Sequence, residues 1–234
     1  MSVPMQASLL NQKQIYEALA LGVLYAFNAH VNGHIAEFGI NTGRTAKYIA
    51  ASMHEYEQRI QSKGRALNDS KSLHLFDSFQ GMPEALHDAD KVSPGVVDGT
   101  WGAGALKTMS ADKLYSTISK IINAEKVHIF EGLYSKTLPM IPNDTRYGMI
   151  HMDSTLYLST FEVLDYLFGY GLVAEGALIL FKGWNTNRAR NIAGERRAWL
   201  EVGEKYDIIP SDPAYFGWQG VKFFIHGYRG MPSS

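Results

Sequence analysis

Short apolar runs alternate along this chain with stretches of helical periodicity, and that alternation restricts the fold more than any other property of the sequence. The first run, Ile35-Ala36-Glu37-Phe38, opens into the glycine-spaced loop Gly39-Ile40-Asn41-Thr42-Gly43-Arg44. A helical pattern follows, with Ala46, Ile49, Ala50, Met53 and Ile60 on one face and Asn41 or Thr42 as its expected cap. Further runs at 73–77, 127–131, 148–153 and 177–181 each precede a loop, and most end on a charged residue: Asp77, Glu131, Asp153 and, after Phe181, Lys182. Strands separated by helices make a parallel sheet with crossovers, and its ligand crevice lies beyond the carboxyl ends of the strands. Glu37, Asp77 and Glu131 stand at three successive strand ends, where a carboxylate can accept hydrogen bonds from ribose hydroxyls. The alternative for each is a strand ending at a solvated edge.

Before the first strand, Ile15, Ala18, Leu19, Gly22, Val23, Ala26 and Phe27 lie on one face of a helix within 11–32. That helix is expected to pack on the sheet, cover a ligand or form a dimer surface. A polar loop is expected over 63–72. The stretch 81–109 is rich in Gly, Pro and Asp, with Trp101 among glycines, and is expected to be either a lid or a flexible excursion. Ser110 then caps a helix with Leu114, Ile118, Ile121 and Ile122 inward. Phe161, Leu164, Leu167 and Phe168 stripe the helix after the fourth strand, and a charged helix anchored by Ala198, Trp199 and Val202 is expected over 188–205. Runs at 206–209 and 220–226 close the chain as an antiparallel hairpin at the sheet edge. One domain over 1–234 is expected, with 1–32 as its helical extension.

Composition narrows the chemistry. The chain has no cysteine, which removes disulfides, thiol nucleophiles and thiolate metal sites. A formal charge of -1 without a dense basic run gives no electrostatic reason for a nucleic-acid or membrane partner, so a small-molecule acceptor is expected. The first residues carry no basic stretch leading into an apolar one, and no apolar run is long enough to span a bilayer, so a cytoplasmic location is expected.

The series Glu37-Phe38-Gly39 with Gly43, then Asp77-Ser78-Phe79-Gln80-Gly81-Met82-Pro83-Glu84, Gly132 with Thr137-Leu138-Pro139, and His151-Met152-Asp153 resembles the macrocin O-methyltransferase family. Trp184-Asn185 and Gly194-Glu195-Arg196-Arg197-Ala198-Trp199 extend the resemblance toward the end of the chain. It implies an α/β, Rossmann-like fold with a mostly parallel seven-stranded sheet and S-adenosyl-L-methionine as cofactor. The implied cofactor residues are Glu37, Gly39, Thr42, Gly43, Asp77, Ser78, Phe79, Glu131, Gly132 and Asp153, with Asp77 on the ribose diol. The implied reaction is methylation of a hydroxyl on a sugar or other natural product.

The chain departs from the family at the fifth strand. The family's Phe-Asp-Asp-Trp is Phe181-Lys182-Gly183-Trp184 here, and Thr155 stands where an acid is expected. An ammonium in a pocket built for a hard cation repels it, so no catalytic magnesium is expected. Lys182 is expected either to pair with Asp153 where the metal sits in the family, polarising a substrate group, or to reach past the sheet edge to solvent. Asp153 and His151 are the candidate bases. Without a metal, an acidic acceptor such as a phenol, enol or carboxylate needs less help than a sugar hydroxyl. A non-methylating cyclisation or rearrangement and a non-catalytic binding role remain open alternatives, and Trp101, Tyr115, Tyr157 and Trp184 are candidate aromatic walls.

Overall fold

The apolar runs form one mixed sheet, described in a computed structural model for residues 3–64 and 70–232. Residues 65–69 of the expected polar loop, and the outermost residues at either end, lie outside the described ones. The strands are β1 (His34–Phe38), β2 (Leu73–Asp77), β3 (Val127–Glu131), β4 (Tyr147–Met152), β5 (Val173–Phe181), β6 (Ile209–Pro210), β7 (Ala214–Phe216) and β8 (Gly220–Gly227). Their order is β3-β2-β1-β4-β5-β8-β6, with β7 also on β8. Strands β1 to β5 run parallel and β8 is antiparallel to β5. Among the described residues eight strands fill the seven positions of the sheet, because β6 and β7 share one edge position. Pro210 and Pro213 flank the break there, and a proline has no N–H for the ladder.

Parallel strands covered on both faces read as continuous apolar runs, and the packing shows why. Ala36, Phe38, Ile150, Met152, Ile179 and Phe181 point toward α7 (Tyr157–Gly169) and α8 (Gly194–Lys205), where Leu164, Phe168, Trp199 and Val202 meet them. Ile35, Leu73, Leu75, Met149, Leu178 and Leu180 point to the other face, under α1 (Val3–Asn28), α2 (Arg44–Gln61) and α5 (Ala111–Ile118). The seven residues expected on the inner face of α1 are all buried. That helix begins well before residue 11, and its early turns leave Val3, Met5, Leu9 and Leu10 exposed.

Several boundaries differ from the sequence reading. Helix α2 is capped by neither Asn41 nor Thr42 but by Gly43, whose φ of 69° makes the turn and whose side of the helix has no side-chain bond. Helix α8 starts at Gly194 rather than at 188, since Arg188 and Ala189 both take positive φ (57° and 52°) and break any helix there. The stretch after β2 contains two single-turn helices, α3 (Asp88–Lys91) and α4 (Pro94–Val97), and a third, α6 (Tyr134–Thr137), follows β3. Asp90, 1% exposed, pins the stretch after β2: its two oxygens accept the N–H groups of Tyr157 at 2.6 Å and Leu158 at 3.1 Å. One carboxylate thereby satisfies orphan donors at the start of α7. No described helix is long and apolar enough to cross a membrane.

Candidate active site

Register builds the site. Phe38 pairs with Met152 and Met152 with Phe181, so the residues that follow, Gly39, Asp153 and Lys182, emerge side by side at the carboxyl ends of β1, β4 and β5. The contact between the first two is close. Gly39 has φ of 90°, and a Cβ there would lie 2.5 Å from the carbonyl oxygen of Asp153, a distance no side chain tolerates. Above these ends is a cavity of about 770 Å³, within the range of small-ligand sites.

Seven of the residues singled out in the sequence line it: Gly39, Asp77, Ser78, Phe79, Gly132, Asp153 and Lys182. Asp77 organises one wall. Its Oδ2 accepts the N–H of Ile40 at 2.6 Å and of Asn41 at 3.3 Å, and its Oδ1 accepts that of Phe79 at 2.7 Å. The carboxylate thus joins the loops after β1 and β2, and Oδ1 keeps a lone pair for a further donor. Phe79 adopts φ of 54° to make this turn.

Five others stand elsewhere. Glu37 and His151 are cross-strand neighbours, both fully buried beneath the floor. Glu37 Oε1 accepts from the Thr45 hydroxyl and lies 3.0 Å from His151 Nδ1. Glu37 Oε2 and His151 Nε2 have no partner among the described residues. Thr42 accepts from Arg44 Nε at 3.2 Å, Gly43 is crowded by Met109 and Leu114, and Glu131 is exposed beyond the rim. In place of Thr42 and Gly43, Ile40 and Asn41 face the cavity. Of the aromatic candidates, Trp101 lines the cavity, whereas Trp184 packs on Phe181, Tyr157 donates to Glu201 and Tyr115 is exposed. Tyr134 lines it as well. Burial, reinforced by Asp77, Asp153 and Glu37, holds its hydroxyl well above the ordinary phenol range.

At the far end of the cavity Lys182 Nζ lies 2.6 Å from Asp153 Oδ2, with both side chains mostly buried. Burial alone works against the ammonium, but Asp153 outweighs it by charge and hydrogen bond, with help from Glu37 and Glu195, so the lysine stays above its usual pKa. Among the described residues no three carboxylates or imidazoles converge as a metal would need. At this end the cavity-lining acid, Asp153, is already engaged by the Lys182 ammonium, which does not fit magnesium. For S-adenosyl-L-methionine the fit is better: Gly39 lines the cavity without a side chain, and Asp77 Oδ1 keeps a free lone pair in its wall.

The chain matches the family model described as macrocin O-methyltransferase (TylF) over residues 4–216. Curated protein sequences yield no match. Among solved structures, the O-methyltransferase NovP superposes with a TM-score of 0.67 at 20% identity, covering 89% of this chain and 78% of that one. The calicheamicin methyltransferase CalS11 gives 0.66 at 22% identity, covering 92% and 80%. The O-methyltransferase TomG from Streptomyces achromogenes, involved in tomaymycin synthesis and solved in complex with the same cofactor, gives 0.53 at 14%, covering 90% and 80%. At these identities the structural likeness concerns the fold.

Proposed function

The chain belongs to the macrocin O-methyltransferase family, S-adenosylmethionine-dependent enzymes, and from that premise we propose that it methylates an oxygen of a small-molecule acceptor without a divalent cation. The acceptor class is a sugar or other natural product, in keeping with the family and with the natural products named for the calicheamicin and tomaymycin methyltransferases. The observation that carries the cation-free reading is the 2.6 Å contact between Lys182 Nζ and Asp153 Oδ2.

When bound, the cofactor supplies a sulfonium methyl group open to in-line displacement by an acceptor oxygen. The wall of Gly39, Ile40 and Asn41 would hold its methionine side, Asp77 Oδ1 its ribose diol, and Phe79 and Gly132 its nucleoside end. Asp153 is then the base. Its Oδ2 is occupied by Lys182, which leaves Oδ1 to take the proton of an acceptor hydroxyl. Lys182 has three donors and spends one on Asp153, so the remaining ones can orient the acceptor oxygen as negative charge develops on it. Trp101, Leu106 and Met109, from the stretch pinned by Asp90, roof the cavity and keep water from competing as acceptor. His151 touches neither wall nor roof, and its bond to Glu37 suits it to fixing the first and fourth strand ends.

Calorimetric titration with S-adenosylhomocysteine tests the cofactor half of this reading. Saturable one-to-one binding that is lost in Asp77→Asn is expected; a flat titration of the folded chain refutes it. The Asn amide can accept through one oxygen only, so at least one of the three N–H groups gathered by Asp77 would be abandoned.

A further inference from the structure

Helix α8 carries an inward-facing acid that the steps above do not use. Glu195 is fully buried in the first turn. Its Oε2 accepts the N–H of Gly183 at 2.7 Å and its Oε1 that of Thr155 at 3.3 Å. Gly183 follows Lys182 directly, and Thr155 lies two residues after Asp153, so one carboxylate ties together the loops that carry both halves of the ion pair.

Two further observations mark the arrangement as specific. A Cβ at position 183 would fall 3.0 Å from Glu195 Oε1 and 3.1 Å from its Cδ, so the carboxylate packs tightly on this glycine and would have to give way to any side chain there. Thr155 holds φ of 65°, an unfavourable conformation for a β-branched residue, and such strain persists only where the surroundings enforce it. Burial, with Asp153 adding to it, pushes the Glu195 carboxyl up to about 8 against the pull of its two N–H bonds and Lys182.

We propose that Glu195 is the positioning residue of the Asp153–Lys182 pair, holding the fourth and fifth strand loops so that the ammonium and the carboxylate stay in contact at the acceptor end of the cavity. The pair's part in methyl transfer rests on the function proposed above, whereas the tether is a property of the folded chain and can be tested without an acceptor. Competitive acetylation of the full-length protein with acetic anhydride across pH, read by mass spectrometry, reports the reactivity of each lysine. Lys126, paired with Glu57 at 2.7 Å and largely buried, serves as the internal standard for general loosening.

In Glu195→Ala the acetylation rate of Lys182 is expected to rise severalfold relative to wild type while that of Lys126 stays constant. Gly183→Ala provides the second variant, because its methyl group crowds the Glu195 carboxylate at 3.0 Å without deleting it, and a smaller rise, again confined to Lys182, is expected. An unchanged Lys182 rate in either folded variant, or an equal rise at Lys126, overturns the proposal. Binding of S-adenosylhomocysteine to the same samples separates the two ideas: its absence in wild type counts against the methyltransferase reading and leaves the lysine result to stand or fall by itself.

Discussion

In the proposed reaction, Lys182 is the residue on which the chemistry turns. It is paired at 2.6 Å with Asp153, the carboxylate proposed as base, at one end of the cavity that both line. Lys182→Ala is expected to lower turnover by roughly 10²-fold, the scale of a general base that has lost its orienting partner, while S-adenosylhomocysteine affinity changes by less than about twofold. Steady-state kinetics beside calorimetry check this, and unchanged turnover would leave the Lys182–Asp153 pair a structural contact only. That contact was legible from the sequence as one of two alternatives, since Asp153 and Lys182 end adjacent strands. Glu195 was not singled out, although the signal existed: it precedes Ala198 by three and Trp199 by four, on the buried face of α8. Its charge made it look like part of a solvated surface. Asp90 carried no comparable signal, because its partners Tyr157 and Leu158 are 67 and 68 residues away and are backbone groups.

Strand-to-helix turns are where the elements become a site. The strands themselves were readable because burial on both faces leaves an uninterrupted apolar run, and α1 because its inner face repeats every three to four residues. Turn geometry was less readable: Gly43 rather than a side-chain cap starts α2, and the positive φ values of Phe79 and Thr155 break the usual preference for glycine. Gly39 is the turn with least latitude. Gly39→Ala combines an unfavourable φ of 90° with a Cβ 2.5 Å from backbone, so it should push β1 and β4 apart at their carboxyl ends. The expected outcome is a loss of several kcal/mol of stability in denaturant unfolding, on the order of other overpacked or strained sites, together with loss of cofactor binding. Wild-type stability in this variant would show that the two strand ends are not in contact.

At the scale of the whole molecule, two buried groups shape how stability depends on pH. His74 stacks on His34 and meets His128 edge-on, across β1, β2 and β3, with ring centroids 5.0 and 4.8 Å away. Burial, helped by these two imidazoles, lowers its pKa from 6.5 to about 3. The unfolded chain therefore takes up a proton that the native one refuses, and stability falls as pH drops from 6.5 toward 3, by about 1.4 kcal/mol per pH unit at most. Glu195 acts in the opposite sense. Its folded pKa is raised from 4.5 to about 8, so the unfolded chain releases its proton first and stability falls as pH rises through that window. Between 4.5 and 6.5 the two slopes oppose each other; above 6.5 only the Glu195 slope of this pair remains. Urea unfolding from pH 5 to 8 should accordingly lose about one proton's worth of slope above pH 6.5 in Glu195→Ala, and a profile parallel to wild type would contradict the burial of an uncharged Glu195 carboxyl.

Methyl transfer with and without a chelator tests the central claim most directly. Radiolabelled S-adenosylmethionine is supplied with a panel of sugar and phenolic acceptors, in EDTA and in magnesium, and label in the acceptor is measured against S-adenosylhomocysteine formed. The site as built from Asp153, Lys182 and Asp77 predicts equal rates in the two buffers, with one methyl group transferred per cofactor consumed. Transfer abolished by EDTA and restored by magnesium would contradict it.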